Sequence, residues 1–323
     1  MNRVLYMLEN RVPEPLRRLV VRYLETSGLD YTQCFYSDDS KLIRERLSWA
    51  EAVLFAPGRY LQPDLMEAAN HVRLMQLWSS GYDKFNLADA RKHGIPVANN
   101  GGANAISVAE HTILLMLAAA RRLPEFHTRA TRGMWSGNSH GMDMVQLHRK
   151  TLAIVGLGNI GKQVALRARA FGMCVLYNDI KRLDPAEESQ LGVEYRTLEE
   201  LLTRADFLTL HLHLNATTSG LIGADKLQTL KDQCVIINVS RSQLIDVKAL
   251  TPLLRSGKVL AAGFDVFETE PTSGYEEYLS FPNVVATPHT AGSTLDTYHM
   301  AMSNCMSNIA RVFAGEAPLW IVN

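Results

Sequence analysis

Residues 151–165 read "TLAIVGLGNIGKQVA", and the fold is decided there. The apolar run Leu152 to Val155 suits a strand buried on both faces. Gly156, Gly158 and Gly161 follow as G-x-G-x-x-G, and a helical run opens at Asn159. The glycine pattern alone is weak. Between a strand and a helix it predicts the phosphate-binding turn of a dinucleotide fold. Gly156 permits the tight turn, Gly158 lets a pyrophosphate approach the backbone, and Gly161 lets helix and strand pack closely. The first helical turn, with Asn159 and Ile160, then offers N–H groups at the positive end of the helix. An acidic residue is expected about 20 residues on, after the next strand. Asp179 follows Gly161 by 18 residues, at the end of "CVLYND". A carboxylate there hydrogen-bonds a ribose 2′-OH and repels a 2′-phosphate, so NAD is expected. Lys181 and Arg182 are next in sequence and keep NADP open; their bland reading is a solvated turn. The bland reading of the glycines is a turn that holds no nucleotide.

Further strands read outward from this turn at 174–178, 206–212, 234–239, 259–266 and 283–288, with helices between them. Upstream, strands at 3–8, 52–55 and 72–78 alternate with helices at 13–28, 63–69 and 86–94. Such alternation predicts parallel sheets with helices on their faces. The fold class is therefore α/β, with two doubly wound parallel-sheet domains, and 323 residues suit two domains. A long helical pattern runs from Asn104 to Arg129. It is apolar on more than one face and should be buried or packed on a second subunit. Residues 133–150 read as a connector. A last helix, 293–315, ends at Gly315.

The net charge of +0 gives no reason to expect nucleic acid or an anionic membrane as a partner. Cys34, Cys174, Cys234 and Cys305 lie far apart and read as reduced, buried thiols. The apolar run near the N-terminus is too short for a signal peptide, and "ILLMLAAA" at 113–120 is too short for a membrane span. A cytoplasmic protein with no bound metal is expected.

Ligands of a doubly wound sheet bind beyond the carboxyl ends of its strands. Arg241 follows the strand "CVIINV", Glu270 follows "VLAAGFDV", and His289 follows "NVVATP". Three such residues after three successive strands form a reactive set for reducing a 2-keto acid. A guanidinium fork can hold the substrate carboxylate and polarise the adjacent carbonyl. An imidazole, with an ordinary pKa near 6.5, can give or take the carbonyl proton. A carboxylate on the other ring nitrogen fixes the tautomer and offers a counter-charge. Arg241 and His289 thus also count as substrate contacts. Val239, Ser240, His211 and His213 lie at strand ends near the expected cofactor and are candidate cofactor contacts. His211 also reads as structural, and His213 as an exposed loop residue.

The sequence resembles the D-isomer-specific 2-hydroxyacid dehydrogenases over nearly its whole length. The resemblance rests on "SSGYDKFNL" (79–87), "GGANAISVAEH" (101–111), "VGLGNIG" (155–161), "NVSRSQLID" (238–246), "GFDVFETEP" (263–271) and "TPHTAGST" (287–294). It implies that Arg241, Glu270 and His289 are catalytic. It implies that Ser79, Ser80 and Gly81 bind substrate, through backbone N–H groups around Ser80 and Gly81. Asp265 and His289 would lie near the nicotinamide. It also implies a homodimer embraced by the long helix, and a Rossmann domain (103–290) inserted into a flavodoxin-like substrate domain (1–102 and 291–323). Two positions depart from the family: Ser242 stands where Gly is usual, and His213 where Pro is frequent. Glu270 disfavours formate as substrate, since formate enzymes carry Gln there. Ser80 disfavours phosphite, whose enzymes carry Lys. Glyoxylate or hydroxypyruvate is the expected substrate, with Ser79 and Ser80 lending hydroxyls to the pocket. The alternatives are a 3-phosphoglycerate dehydrogenase without a regulatory domain, none being expected after Asn323, and an NAD(H)-sensing protein like the C-terminal-binding-protein corepressors.

Overall fold

The computed structural model describes residues 2–56, 61–135 and 137–323. Ser136, inside the expected connector, lies outside the described residues. The chain divides into two compact units, residues up to Asn104 with Leu295–Asn323, and Ala105–Thr294.

The first unit runs β1 (Arg3–Leu8), α1 (Glu14–Thr26), β2 (Asp30–Phe35), α2 (Ser40–Trp49), β3 (Ala52–Phe55), α3 (Pro63–Met66), β4 (Leu74–Leu77), α4 (Leu87–Lys92) and β5 (Val97–Ala98). The second runs α5 (Ala105–Ala120), α6 (Leu123–Thr131), β6 (Thr151–Val155), α7 (Asn159–Ala170), β7 (Cys174–Asn178), α8 (Pro185–Leu191), β8 (Val193–Tyr195), α9 (Leu198–Arg204), β9 (Phe207–Leu210), α10 (Ala224–Thr229), β10 (Cys234–Asn238), α11 (Val247–Ser256), β11 (Val259–Phe264) and β12 (Val284–Ala286). The chain then returns to the first unit as α12 (Leu295–Phe313).

In the first unit the strand order is β2-β1-β3-β4-β5, all parallel. This is the flavodoxin-like order. The sequence reading omitted β2, α2 and β5, and each has a weak signal. In β2 only Cys34 is buried, as suits an edge strand. In α2 only Ile43 and Leu47 are buried, and β5 is two residues long. The C-terminal residues cover the β5 edge. Ile321 bridges Ala98 antiparallel, and Val322 N–H donates to the Val97 carbonyl at 2.9 Å. An uncovered edge would be a template for another chain.

In the second unit the order is β12-β11-β10-β9-β6-β7-β8, again parallel, and it reverses direction at β6. That reversal is the switch point at which doubly wound sheets bind ligands. All five residues of β10 are buried. Val235 and Ile237 enter the core on one face, Cys234 and Ile236 the core on the other. α5 crosses the first face so closely that a Cβ on Gly263 would stand 3.0 Å from the Cβ of Leu115. A side chain there would force the helix and Ile237 to give way.

Two expectations are corrected. The helical pattern from 104 to 129 is two helices, not one. Arg122 adopts a left-handed conformation, φ 51, between α5 and α6. Pro124 enforces the break, because proline is tolerated only in a helix's first turn. Cys174 is exposed, not buried. It is the first residue of β7, ahead of the buried stretch Val175 to Tyr177.

Candidate active site

The glycine turn is built as its spacing demands. Gly156 has φ +95, and a Cβ on it would stand 2.6 Å from the His211 carbonyl oxygen. A Cβ on Gly161 would stand 2.2 Å from the Gly156 carbonyl oxygen. Both positions exclude a side chain. Gly158 differs: a Cβ there would meet nothing within 4 Å. Its place at the N-cap of α7 leaves open space above the first turn of that helix, Asn159 to Gly161. N–H groups of a first turn have no acceptor within their own helix. An anion approaching over Gly158 would meet them.

Asp179 closes the turn from β7. One carboxylate oxygen accepts from Leu157 N–H at 2.7 Å, and the other from Lys181 N–H at 3.2 Å. Arg182 lays its guanidinium fork on Glu188, at 2.9 and 3.1 Å, and stacks over Tyr195. The Glu188 carboxylate already occupies guanidinium donors that a 2′-phosphate would need.

His211 follows β9, against Gly156. The residue is partly exposed, yet both ring nitrogens are sealed from solvent and have no partner among the described residues. Burial pushes its pKa down from 6.5 to about 3, so the ring is neutral at pH 7. In the unfolded chain it binds a proton near pH 6.5, and in the folded chain only near pH 3. Between those values the unfolded state holds the extra proton, so folding stability falls as pH falls, by up to about 1.4 kcal/mol per pH unit. His211→Gln is expected to flatten this acid limb while leaving stability above pH 7 little changed. Urea denaturation from pH 7 down to about 4 measures the slope, and a slope equal to that of the parent would show a ring that protonates normally. His213 is exposed on the following turn, where its carbonyl accepts from Thr218 Oγ1 at 2.7 Å.

At the end of β10, Asn238 shapes the turn that carries Arg241. Its Oδ1 accepts from Ser240 N–H at 3.1 Å, and its Nδ2 donates to the Arg241 carbonyl at 2.8 Å. Ser240 Oγ donates to the Leu210 carbonyl at 2.6 Å, and Val239 is buried. Arg241 is half-buried and extended, and its Nη1 donates to the Ser240 carbonyl at 2.7 Å. Ser242 is not among the residues with positive φ, so this backbone does not require the family's usual glycine. Its Oγ is buried with no partner among the described residues.

Glu270 and His289 meet directly. The Glu270 carboxylate lies 2.7 Å from His289 Nδ1, and its other oxygen accepts from Phe267 N–H at 3.1 Å. An ionised carboxylate only accepts, so Nδ1 carries a proton and Nε2 is the exchangeable site. The His289 side chain is 45% exposed, so Nε2 can reach a ligand. His289 also has φ 55, a strained value for a non-glycine residue.

Asp265 explains how that strain is held. It is fully buried at the end of β11. One of its oxygens accepts from Thr287 Oγ1 at 2.6 Å and from Thr290 N–H at 2.8 Å. The other accepts from Ala291 N–H at 2.8 Å. The carboxylate thus grips the chain on both sides of His289. Thr287 donates its hydroxyl proton to Asp265, so it must accept from His111 Nε2, 2.8 Å away on α5. Asn238, Thr287 and His111 were not singled out from sequence. The available signal was a histidine inside a predominantly apolar helix.

Ser79, Ser80 and Gly81 belong to the first unit, just past β4. Ser79 Oγ donates to the Gly81 carbonyl and Ser80 Oγ to Asn104 Oδ1, each at 2.8 Å. Each hydroxyl thus gives its proton to its own chain and keeps only its oxygen lone pairs for a ligand.

Residues 113–291 match the family described as "D-isomer specific 2-hydroxyacid dehydrogenase, NAD binding domain". The chain belongs to the D-isomer-specific 2-hydroxyacid dehydrogenase family. It is 36% identical over 285 residues to a glyoxylate reductase of Korarchaeum cryptofilum, covering 88% of this chain and 86% of that one. It is 39% identical over 236 residues to a hydroxypyruvate reductase of Thermotoga maritima, covering 72% of this chain and 75% of that one. The crystal structure of a glyoxylate reductase from Paecilomyes thermophila superposes with a TM-score of 0.85 at 29% identity, covering 99% of this chain and 98% of that one. As a D-2-hydroxyacid dehydrogenase, the chain is an oxidoreductase with a nicotinamide-binding domain. The residues present fit that cofactor. Open space lies over Gly158, Asp179 stands at the turn, and the buried nitrogens of His211 have no partner among the described residues.

Proposed function

We propose that this enzyme reduces a small, polar 2-keto acid, glyoxylate or hydroxypyruvate, with NADH. The Glu270–His289 pair at 2.7 Å carries the reading, because it leaves an oriented, solvent-accessible proton donor at the end of β12. Bound NADH supplies the hydride. Arg241 holds the substrate carboxylate and polarises the carbonyl. His289, protonated on both ring nitrogens, delivers the Nε2 proton to the carbonyl oxygen, and Glu270 accepts from Nδ1–H and counter-charges the imidazolium. The backbone around Ser80 and Gly81 binds the carboxylate through N–H groups. Gly156, Gly158, Asn159, Ile160 and Gly161 cradle the pyrophosphate, and Asp179 takes the ribose hydroxyls. Val239, Ser240, His211 and His213 line the remainder of the cofactor's path. The choice of NADH over NADPH is supported by Asp179 and by the engagement of Arg182 with Glu188.

A keto-acid panel with both coenzymes tests this. Glyoxylate or hydroxypyruvate should exceed phenylpyruvate in kcat/KM by at least about tenfold, on the order of what one well-fitted pocket contact gives. NADH should exceed NADPH. A preference for phenylpyruvate would sink the polar-substrate reading.

A homodimer is part of the proposal. Ile106, Leu114, Leu123, Met134, Trp135 and Met142 are large, apolar and exposed on and after α5 and α6. Exposed apolar side chains of this size suit burial against a second copy of the chain. Light scattering at two chains per particle is the expected result, and a single chain would refute it. A cytoplasmic location is proposed because all four cysteines are free.

A further inference from the structure

A ladder of side-chain amides runs through the first unit beside the Ser79–Gly81 loop. Its base is Gln76, fully buried in the wholly buried strand β4. An unpaired amide there would be strongly destabilising, and Gln76 is fully paired. Its Nε2 donates to the carbonyls of Asn99 at 2.8 Å and Leu77 at 2.9 Å, and its Oε1 accepts from Asn308 Nδ2 at 2.7 Å. Asn308, on α12, is fully buried and is pinned in turn by Leu319, whose N–H donates to Asn308 Oδ1 at 2.7 Å. One turn earlier on α12, Asn304 Nδ2 donates to the Asn100 carbonyl at 3.2 Å. The backbone at Asn99 and Asn100 is thus braced from behind.

The side chains of these two asparagines then reach forward. Asn99 Nδ2 donates to the Ser80 carbonyl at 2.9 Å, and Asn100 Nδ2 donates to the Trp78 carbonyl. Asn100 is almost fully buried, yet its Oδ1 has no partner among the described residues. What its amide contributes is the N–H that holds Trp78. In a trans peptide the C=O and N–H point in opposite directions. Fixing the carbonyls of Trp78 and Ser80 against the ladder therefore turns the N–H groups of Ser79 and Gly81 away from it. No described residue accepts from either N–H. With both serine hydroxyl protons engaged, backbone N–H groups, these two among them, are what the loop can offer an anion.

We propose that Asn99 and Asn100 are positioning residues, which hold the Trp78 and Ser80 carbonyls so that the Ser79 and Gly81 N–H groups face the substrate carboxylate. The inference rests on the reading that this loop binds that carboxylate. Gln76, Asn304 and Asn308 act behind them and touch no substrate.

The test uses Asn99→Asp, which keeps the shape but replaces the donor to Ser80 with an acceptor, and Asn304→Ala, one contact further back. In Asn99→Asp the KM for glyoxylate and the Kd of oxalate on the NADH-loaded enzyme should both rise about tenfold, within the ~10²-fold that a small misplacement can cost. The Kd of NADH should not move, and kcat should change far less than KM. Asn304→Ala should move the same two constants in the same direction by less. Unchanged KM and oxalate Kd in folded variants would overturn the proposal. So would a parallel loss of every constant together with thermal stability, which marks a merely structural ladder. Should the parent reduce no keto acid, the substrate reading fails by itself, and oxalate binding still decides this one. Equal oxalate affinity in parent and variants, or none in the parent, would overturn it.

Discussion

His289→Ala is expected to lower kcat by about 10²–10⁴-fold, the usual worth of a positioned general acid, and to leave NADH binding nearly intact. The separation follows from where the side chain lies. Its ring is exposed along one side and bonded at Nδ1 to Glu270, outside the apolar cores. Truncation removes a proton donor without opening a cavity. The backbone at 289 is left-handed whichever of the two residues stands there, so the strain is common to both proteins. Stopped-flow reduction gives the rate and fluorescence titration the affinity for NADH. Equal losses in both would mean that His289 shapes the fold and does not move the proton.

Asp265→Ala should be costly in a different way, losing stability and turnover together. Three donors converge on this carboxylate: the N–H groups of Thr290 and Ala291 and the hydroxyl of Thr287. Each buried donor left unpaired costs about 1–3 kcal/mol, so a loss of roughly 3 kcal/mol or more is expected. The turn at His289 also loses the grip that keeps it at φ 55. A proton donor misplaced by about 1 Å can lose about 10²-fold in rate, and kcat should fall on that order. Urea denaturation and steady-state rates measure the two effects. A variant of parental stability that lost only NADH affinity would make Asp265 a coenzyme contact and not a clamp.

These two residues show what could be read from the sequence and what could not. His289 was legible because a histidine after an apolar strand stands in a place with a known geometric meaning, and Glu270 was legible for the same reason. The clamp was not. Asp265 was assigned to the cofactor by resemblance, and nothing in a linear string says that its oxygens turn toward residues 287–291. His111, 154 positions before Asp265, joins it only through the packing of α5 on the sheet. The fold itself was read from the strongly apolar strands and the glycine turn. The elements lost were β2, α2, β5 and β8, which are short, polar or at an edge. They bury too little apolar surface to write a period into the sequence. The break at Arg122 was lost because the apolar pattern of α5 masked the stop imposed by Pro124.

Asp179 holds the glycine turn as well as standing where the ribose should lie, since its carboxylate accepts the Leu157 N–H at 2.7 Å. On the proposed reading, one side chain serves as latch and as discriminator. Removing the whole acceptor to admit a phosphorylated coenzyme would also release the loop that must cradle the pyrophosphate. Coenzyme preference is thereby coupled to loop rigidity, so an exchange of preference must lose the charge and keep an acceptor for the Leu157 N–H. A neutral hydrogen-bond acceptor at position 179, such as serine or asparagine, is the smallest step that keeps the latch while removing the repulsion.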